Sequence, residues 1–174
     1  MHAEIDGYLG ALLATEGEPL ALLVKEALDP IVRTMNRRNA NLSAIEFHYV
    51  VGMINQYRGI PFNMRVLAEQ IDAYAFGQSD LKKKVVTGDI ALLLLGFFNP
   101  RGTGFYRRRS SYSLSYYEKI ARRCYWDVSE LTGKRLYSSL GHNFPEWVQA
   151  LSALARHLKE ESLEPYLVNQ QTAN

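Results

Sequence analysis

The chain has 174 residues, of which 47% are hydrophobic and 22% charged. These values are ordinary for a globular domain and exclude an intrinsically disordered chain. The net charge of +2 is too small to indicate nucleic-acid binding by itself. A single cysteine excludes an intramolecular disulfide and is typical of a cytosolic protein, where thiols stay reduced. The N-terminus has acidic residues where a signal peptide would be basic, so the predicted location is cytoplasmic.

The first third of the chain contains two amphipathic patterns of helical period. The first runs from Ile5 to about Gly17, and the second begins at Pro19. Proline suits the first turn of a helix, because the N–H that it lacks would be unpaired there. Pro30 is expected to end or kink the second helix, since an interior proline removes a hydrogen bond and clashes with the preceding turn.

The middle of the chain carries clear helix-start signals. Ser43 followed by Glu46 is a capping box, in which each side chain accepts a hydrogen bond from a free N–H of the first turn. Asn63 is the predicted cap of the next helix, which Gly77 ends. Ser79 and Asp80 start a helix that is predicted to reach about residue 98 and is apolar nearly all round.

The last third begins with a loop predicted over about 99–114, which contains glycines, serines and three adjacent arginines. Ser115 with Glu118 is interpreted as a second capping box, and Gly133 ends the helix that follows. Asn143 is the predicted cap of the last strong helix. The tail after about 161 is weakly patterned and is predicted to fray.

These patterns predict an all-α fold in which six or seven helices form an irregular bundle around a central apolar helix at about 79–98. The whole chain, 1–174, is predicted to be one domain. The apolar run within the central helix is too short for a membrane span. The predicted core includes Leu92, Leu95, Ile120 and Leu151.

Asp89 is the most informative single position, because it is a carboxylate within this apolar helix. A buried carboxylate must be paired, hydrogen-bonded or protonated. The favoured interpretation is a structural partner, either an arginine or a tyrosine hydroxyl; a role as acid, base or ligand is the alternative. Gly88 and Gly96 on the same helix indicate close helix–helix approach, with a groove for a flat ligand as the alternative.

The order of several short motifs resembles a family of small bacterial proteins of unassigned function. The pattern is GD-x-A-L-x-x-x-GFF, followed by a loop, a Tyr-Tyr pair and a Phe-Pro pair before the last helix. It is matched here by Gly88–Phe98, by Tyr116 and Tyr117, and by Phe144 and Pro145. The resemblance covers roughly residues 45–158 and implies a helical bacterial protein. It implies no catalytic residue.

The basic–aromatic segment, residues 101–123, is the candidate binding surface. Arginines next to aromatic rings suit phosphate backbones and unpaired bases, and equally an acidic protein surface. The alternative to a binding surface is a solvent-exposed loop in which one or two arginines have a structural role. The candidate binding residues are Arg101, Arg107, Arg108, Arg109, Tyr112, Tyr116, Arg122 and Arg123.

The rest of the sequence contains few residues that could form a catalytic or metal-binding site. No phosphate-binding loop, nucleophile elbow or calcium loop is found, and the four histidines have no recognised metal spacing. Cys124 lies on an apolar stripe and is predicted to be a core residue. No cofactor, metal or catalytic residue is therefore predicted, and an enzyme is disfavoured.

The predicted function is a non-enzymatic protein-interaction or regulatory module that uses the basic–aromatic segment and binds a protein partner or itself. The first alternative is a nucleic-acid-binding regulator that uses the same segment. The second is a small-molecule-binding or enzymatic helical domain with Asp89 in its pocket.

Overall fold

A computed structural model of the chain describes residues 2–57, 64–97 and 113–160, and the regular structure in these ranges is helical. A 3₁₀ turn, Ala14–Gly17, follows the first helix, and a π-helical turn, Leu93–Phe97, continues the fifth. The predicted all-α class is confirmed. The helices in these ranges are α1 (His2–Leu13), α2 (Pro19–Arg37), α3 (Ala44–Gln56), α4 (Met64–Ala75), α5 (Leu81–Leu92), α6 (Leu114–Thr132), α7 (Arg135–His142) and α8 (Phe144–Glu160).

The α5 helix occupies the centre of the bundle, as its all-round apolar pattern predicts. It packs against α4 and α6 and touches α1 and α8, and its π turn lies against α8. Every residue from Thr87 to Phe97 is buried. The α-helical form nevertheless ends at Leu92, short of the predicted end, because the chain widens there into the π turn.

Several predicted helix ends are confirmed in atomic detail. Ser43 Oγ accepts a hydrogen bond from Glu46 N, and Ser43 N donates one to Glu46 Oε1, which completes the capping box. The Asp80 carboxylate accepts a hydrogen bond from Lys83 N at the start of α5. Gly133 ends α6 with a φ of +72°, a left-handed conformation that glycine adopts without strain.

Three local predictions are corrected. Ser113, not Ser115, caps α6, because its Oγ accepts the hydrogen bond from Tyr116 N. Pro30 does not end α2, which continues to Arg37 and packs against α8, while the kink stays a prediction. The α7 helix was not predicted, because eight residues are too few to establish a periodic pattern.

The core is one contiguous cluster that draws on every helix. Leu92, Leu95 and Leu151 belong to it, as predicted, whereas Ile120 is only half-buried and packs against its edge. Leu131, in the last turn of α6, is 58% exposed.

Some predictions fall outside the described residues. These are the Asn63 cap, most of the basic loop at 99–114, and the tail after 161.

Candidate functional site

Asp89 lies at the centre of the bundle with no exposed surface, surrounded by tyrosine hydroxyls. Its Oδ1 accepts hydrogen bonds from Tyr49 (2.8 Å) and Tyr125 (2.7 Å). Its Oδ2 accepts a hydrogen bond from Tyr8 and a longer one, 3.5 Å, from Tyr57. The tyrosine hydroxyl predicted as one possible partner is therefore present four times, and no arginine or lysine pairs with Asp89 among the described residues.

These four tyrosines and Asp89, the Asp89–tyrosine cluster, join separate parts of the chain. Tyr8 comes from α1, Tyr49 from α3, Tyr57 from the end of α3 and Tyr125 from α6. The hydroxyls of Tyr8 and Tyr57 are also 2.9 Å apart. Sequence reasoning did not find these partners, because each is an ordinary member of an amphipathic pattern and only the three-dimensional fold brings them to one point.

Burial controls the protonation of this cluster. Burial raises the pKa of Asp89 to about 6, against the opposing effect of the four hydroxyl hydrogen bonds. Burial, together with the neighbouring carboxylate, also raises the pKa of each of the four tyrosines, so the phenols stay protonated as donors. The cluster therefore holds at most one negative charge, and that charge is stabilised by hydroxyl dipoles rather than by a cation.

The hydroxyl hydrogen bonds of the Asp89–tyrosine cluster agree with the favoured interpretation of a structural partner. Neither of the two surface cavities described below is lined by Asp89. A substrate would therefore have no path to its carboxylate through either cavity. Cys124 is also buried, and burial raises the pKa of its thiol to about 12, which agrees with its predicted packing role.

The two glycines of α5 and its π turn do permit close approach. A Cβ at Gly88 would lie 2.6 Å from Tyr125 Cε1, and one at Gly96 would lie 2.8 Å from Leu151 Cβ. Gly88 therefore lets Tyr125 reach Asp89, and Gly96 lets α8 approach the π turn. These contacts confirm the close-approach interpretation.

The described part of the basic–aromatic segment is largely engaged in contacts within the protein. The Arg122 Nε donates to the Gly141 carbonyl oxygen at 2.8 Å, and its guanidinium lies over the Trp126 ring at 5.2 Å from the centroid. Arg122 also pairs with Glu118 at 3.8 Å. These contacts tie α6 to α7, so Arg122 has a packing role rather than a free binding surface.

The side chain of Arg123 is more exposed to solvent than that of Arg122. The Arg123 Nε lies 2.9 Å from Asp127 Oδ1, and about half of its side chain is exposed, at 53%. The same carboxylate accepts a hydrogen bond from Tyr74 and faces Lys84 at 3.5 Å, so it joins α4 and α5 to α6.

Of the remaining candidate binding residues, only Tyr116 is described, and it is half-buried in the first turn of α6. Arg101, Arg107, Arg108, Arg109 and Tyr112 lie outside the described residues.

A groove of about 920 Å³ runs between α2, α8, the π turn and the start of α6. Side chains such as Ile31, Met35 and Val148 give it an apolar floor, with Leu95 of the π turn beneath. The π turn is held in place by Ser152, whose Oγ donates to the Gly96 carbonyl oxygen at 2.9 Å. Isolated π turns within helices are frequent at functional sites. Sequence reasoning did not find this groove.

The rim of this groove is basic. Arg38 and Arg156 both line it, both are exposed, and neither forms an ion pair with a residue that the structure describes. The acidic residue of the lining, Glu118, is already paired with Arg122. Leu95 and Leu114, near the two ends of the undescribed stretch 98–112, line the same groove.

Comparison with protein-family models, curated proteins and solved structures gives no match to this chain. The resemblance to a small bacterial family stays a prediction. Over the described ranges, no helix is long and apolar enough to cross a membrane. Within the same ranges, no group of three or more His, Cys, Asp or Glu side chains is placed to hold a metal ion.

Proposed function

We propose that the protein is a non-enzymatic interaction module whose groove between α2, α6 and α8 binds an acidic amphipathic segment of a partner protein. The observation that carries this proposal is the combination of an apolar floor with two rim arginines, Arg38 and Arg156, that have no acidic partner in the described structure. An amphipathic helix buries its apolar face in such a groove, and acidic residues on its flanks pair with the arginines.

The basic–aromatic segment supports the same proposal. Its sequence places Arg101 and the Arg107–Arg109 run shortly before α6, whose first residue, Leu114, lines the groove. An acidic partner held in the groove would be attracted by the added positive charge. The described members, Arg122 and Arg123, contribute less, because each already pairs with an acidic side chain of α6.

A site-specific crosslink tests the proposal. A photo-reactive amino acid is placed at Gln149, an exposed residue of the groove, and irradiated in a nuclease-treated extract of the source organism. A second protein carries the same group at Lys83, an exposed residue that does not line the groove. The crosslinked peptide is then sequenced by mass spectrometry. We expect an acidic amphipathic segment from the Gln149 protein and none from the Lys83 protein.

Charge reversal provides the matched control. Arg38→Glu with Arg156→Glu should abolish the crosslink, whereas Arg37→Glu with Arg135→Glu, which makes the same charge change outside the groove, should retain it. All four positions are exposed, so we expect each double variant to keep its melting temperature within a few degrees. Equal crosslinking by the two double variants would contradict the proposal. A partner that is crosslinked in an untreated extract but not in the nuclease-treated one would favour the nucleic-acid alternative.

A further inference from the structure

A second cavity, of about 470 Å³, shares no lining residue with the groove and has a different chemistry. It is bordered by the loop before α3, by α6, and by α7 with the residue after it. All its lining residues carry a polar group: Asn41, Ser43, Glu46, Trp126, Ser138, Ser139, His142 and Asn143. The cavity is open to solvent, and its volume is comparable with that of small-molecule sites. The interaction module proposed above makes no use of it.

The base of this cavity is a buried carboxylate whose hydrogen bonds are already made. Glu46 is 1% exposed. It accepts hydrogen bonds from Trp147 Nε1 at 2.6 Å, from Asn143 Nδ2 at 3.1 Å and from Ser43 Oγ at 2.9 Å. Because these donors satisfy the carboxylate and cover it, its charge is not offered to a ligand. The cavity therefore has no exposed carboxylate to select an organic cation.

The same hydrogen bonds orient the groups that do face the cavity. Asn143 directs its amide N–H groups to Glu46 and to the Asn41 carbonyl oxygen, the latter at 3.4 Å. Its side-chain oxygen is left as an acceptor. Ser139 and His142 come from the last turn of α7 and can each donate or accept a hydrogen bond.

Trp126 lines the cavity, and its indole contacts two neighbouring residues. The Arg122 guanidinium lies 5.2 Å from its ring centroid. Gly141 packs against its edge so closely that a Cβ there would lie 2.6 Å from the indole Nε1. A rigid indole beside neutral donors and acceptors provides an apolar surface for ring C–H groups and hydrogen bonds for hydroxyl groups.

We infer that this cavity binds a small, neutral, polyhydroxylated ligand of the monosaccharide class. Adjacent hydroxyls of such a ligand both donate and accept hydrogen bonds, which matches the serine, amide and imidazole groups of the lining. One face of its ring is apolar and can pack on Trp126.

The test is a titration of the ¹⁵N-labelled full chain with glucose, galactose, ribose and N-acetylglucosamine, followed by NMR. The two tryptophans give separate indole N–H signals, so the signal of Trp126 can be followed by itself. We expect at least one sugar to shift the Trp126 signal saturably, with a Kd on the order of 1 mM.

Two variants test whether the shift of the Trp126 signal results from binding in this cavity. Ser139→Ala with His142→Ala removes two hydrogen-bonding groups and should weaken binding about tenfold. Ser129→Ala, on α6 but outside the cavity, should leave the affinity unchanged. The inference is overturned if none of the four sugars gives a saturable shift, or if both variants bind as the wild type does. Saturation by tetramethylammonium in place of the sugars would assign the cavity to a cation and also overturn it.

Discussion

At the scale of single residues, Asp89 is the unusual feature of this protein, because four hydroxyls rather than a cation stabilise a buried carboxylate. A hydroxyl can donate or accept a hydrogen bond, whereas a guanidinium can only donate. The cluster should therefore tolerate an amide in place of the carboxylate. If the partner of Asp89 were a buried arginine, Asp89→Asn would be expected to cause a clear loss of stability.

The first prediction compares two substitutions at Asp89. Asp89→Leu removes the acceptor that the buried hydroxyls of Tyr49 and Tyr125 share, so it should lower the free energy of unfolding by about 3 kcal/mol. Asp89→Asn keeps an acceptor for Tyr49 and Tyr125 and offers N–H groups to the other two, so its cost should be clearly smaller. Urea denaturation at pH 7 measures both. An asparagine variant as unstable as the leucine variant would contradict the role given to the hydroxyls.

The second prediction concerns pH. The pKa of Asp89 is raised from 3.8 to about 6, so the folded chain binds this proton more tightly than the unfolded chain does. Its contribution to the free energy of unfolding is therefore greatest below pH 3.8. That contribution is lost as the pH rises through 6, by roughly 3 kcal/mol in all.

The measurement is the difference in unfolding free energy between the wild type and Asp89→Asn across pH 4 to 7, which cancels the other titrating groups. The wild type should gain stability relative to the variant as the pH falls. A difference that does not change with pH would show that the raised pKa is wrong.

At the scale of helices, close packing of α5 depends on its glycines. Gly88 stands where any Cβ would collide with Tyr125, whereas Gly10 in α1 has no heavy atom within 4 Å of its Cβ position. The two glycines therefore have different physical consequences, although both lie within helices. The effect of a side chain at Gly88 depends on the space that Tyr125 leaves. The effect at Gly10 depends only on the conformational freedom that glycine gives the backbone.

The third prediction follows from this contrast. Gly88→Ala should destabilise the protein by about 1–3 kcal/mol, because Tyr125 must move away from Asp89. Gly10→Ala should leave stability unchanged or raise it by up to about 1 kcal/mol, since alanine is the better helix former. Thermal unfolding of the two variants checks both signs. A loss of stability at Gly10 equal to that at Gly88 would mean that helix packing is not the cause.

At the scale of the whole molecule, two buried carboxylates fasten the bundle at separate places. Asp89 links α5 to α1, α3 and α6, while Glu46 links α3 to α8 through Trp147. The groove and the polar cavity are lined by different residues, and Glu46 lines the cavity. The two proposed binding sites can therefore be tested independently, because they share no lining residue.

The sequence by itself determined the local structure: the all-α class, the central helix, the capping box of Ser43 with Glu46, and the glycine that ends α6. These features depend on residues three or four positions apart, so their pattern is visible along the chain. The sequence also marked Asp89 as a carboxylate in need of a partner.

Only the tertiary structure decided which groups satisfy that carboxylate and where the cavities lie. The partners Tyr8, Tyr49, Tyr57 and Tyr125 are 81, 40, 32 and 36 residues from Asp89 along the chain. The groove likewise combines α2 with α6 and α8. The periodic pattern of a helix predicts its apolar face but does not predict which other helix packs against that face. That choice is made by the packing of the whole core, because buried apolar area and buried hydrogen bonds must be satisfied at the same time.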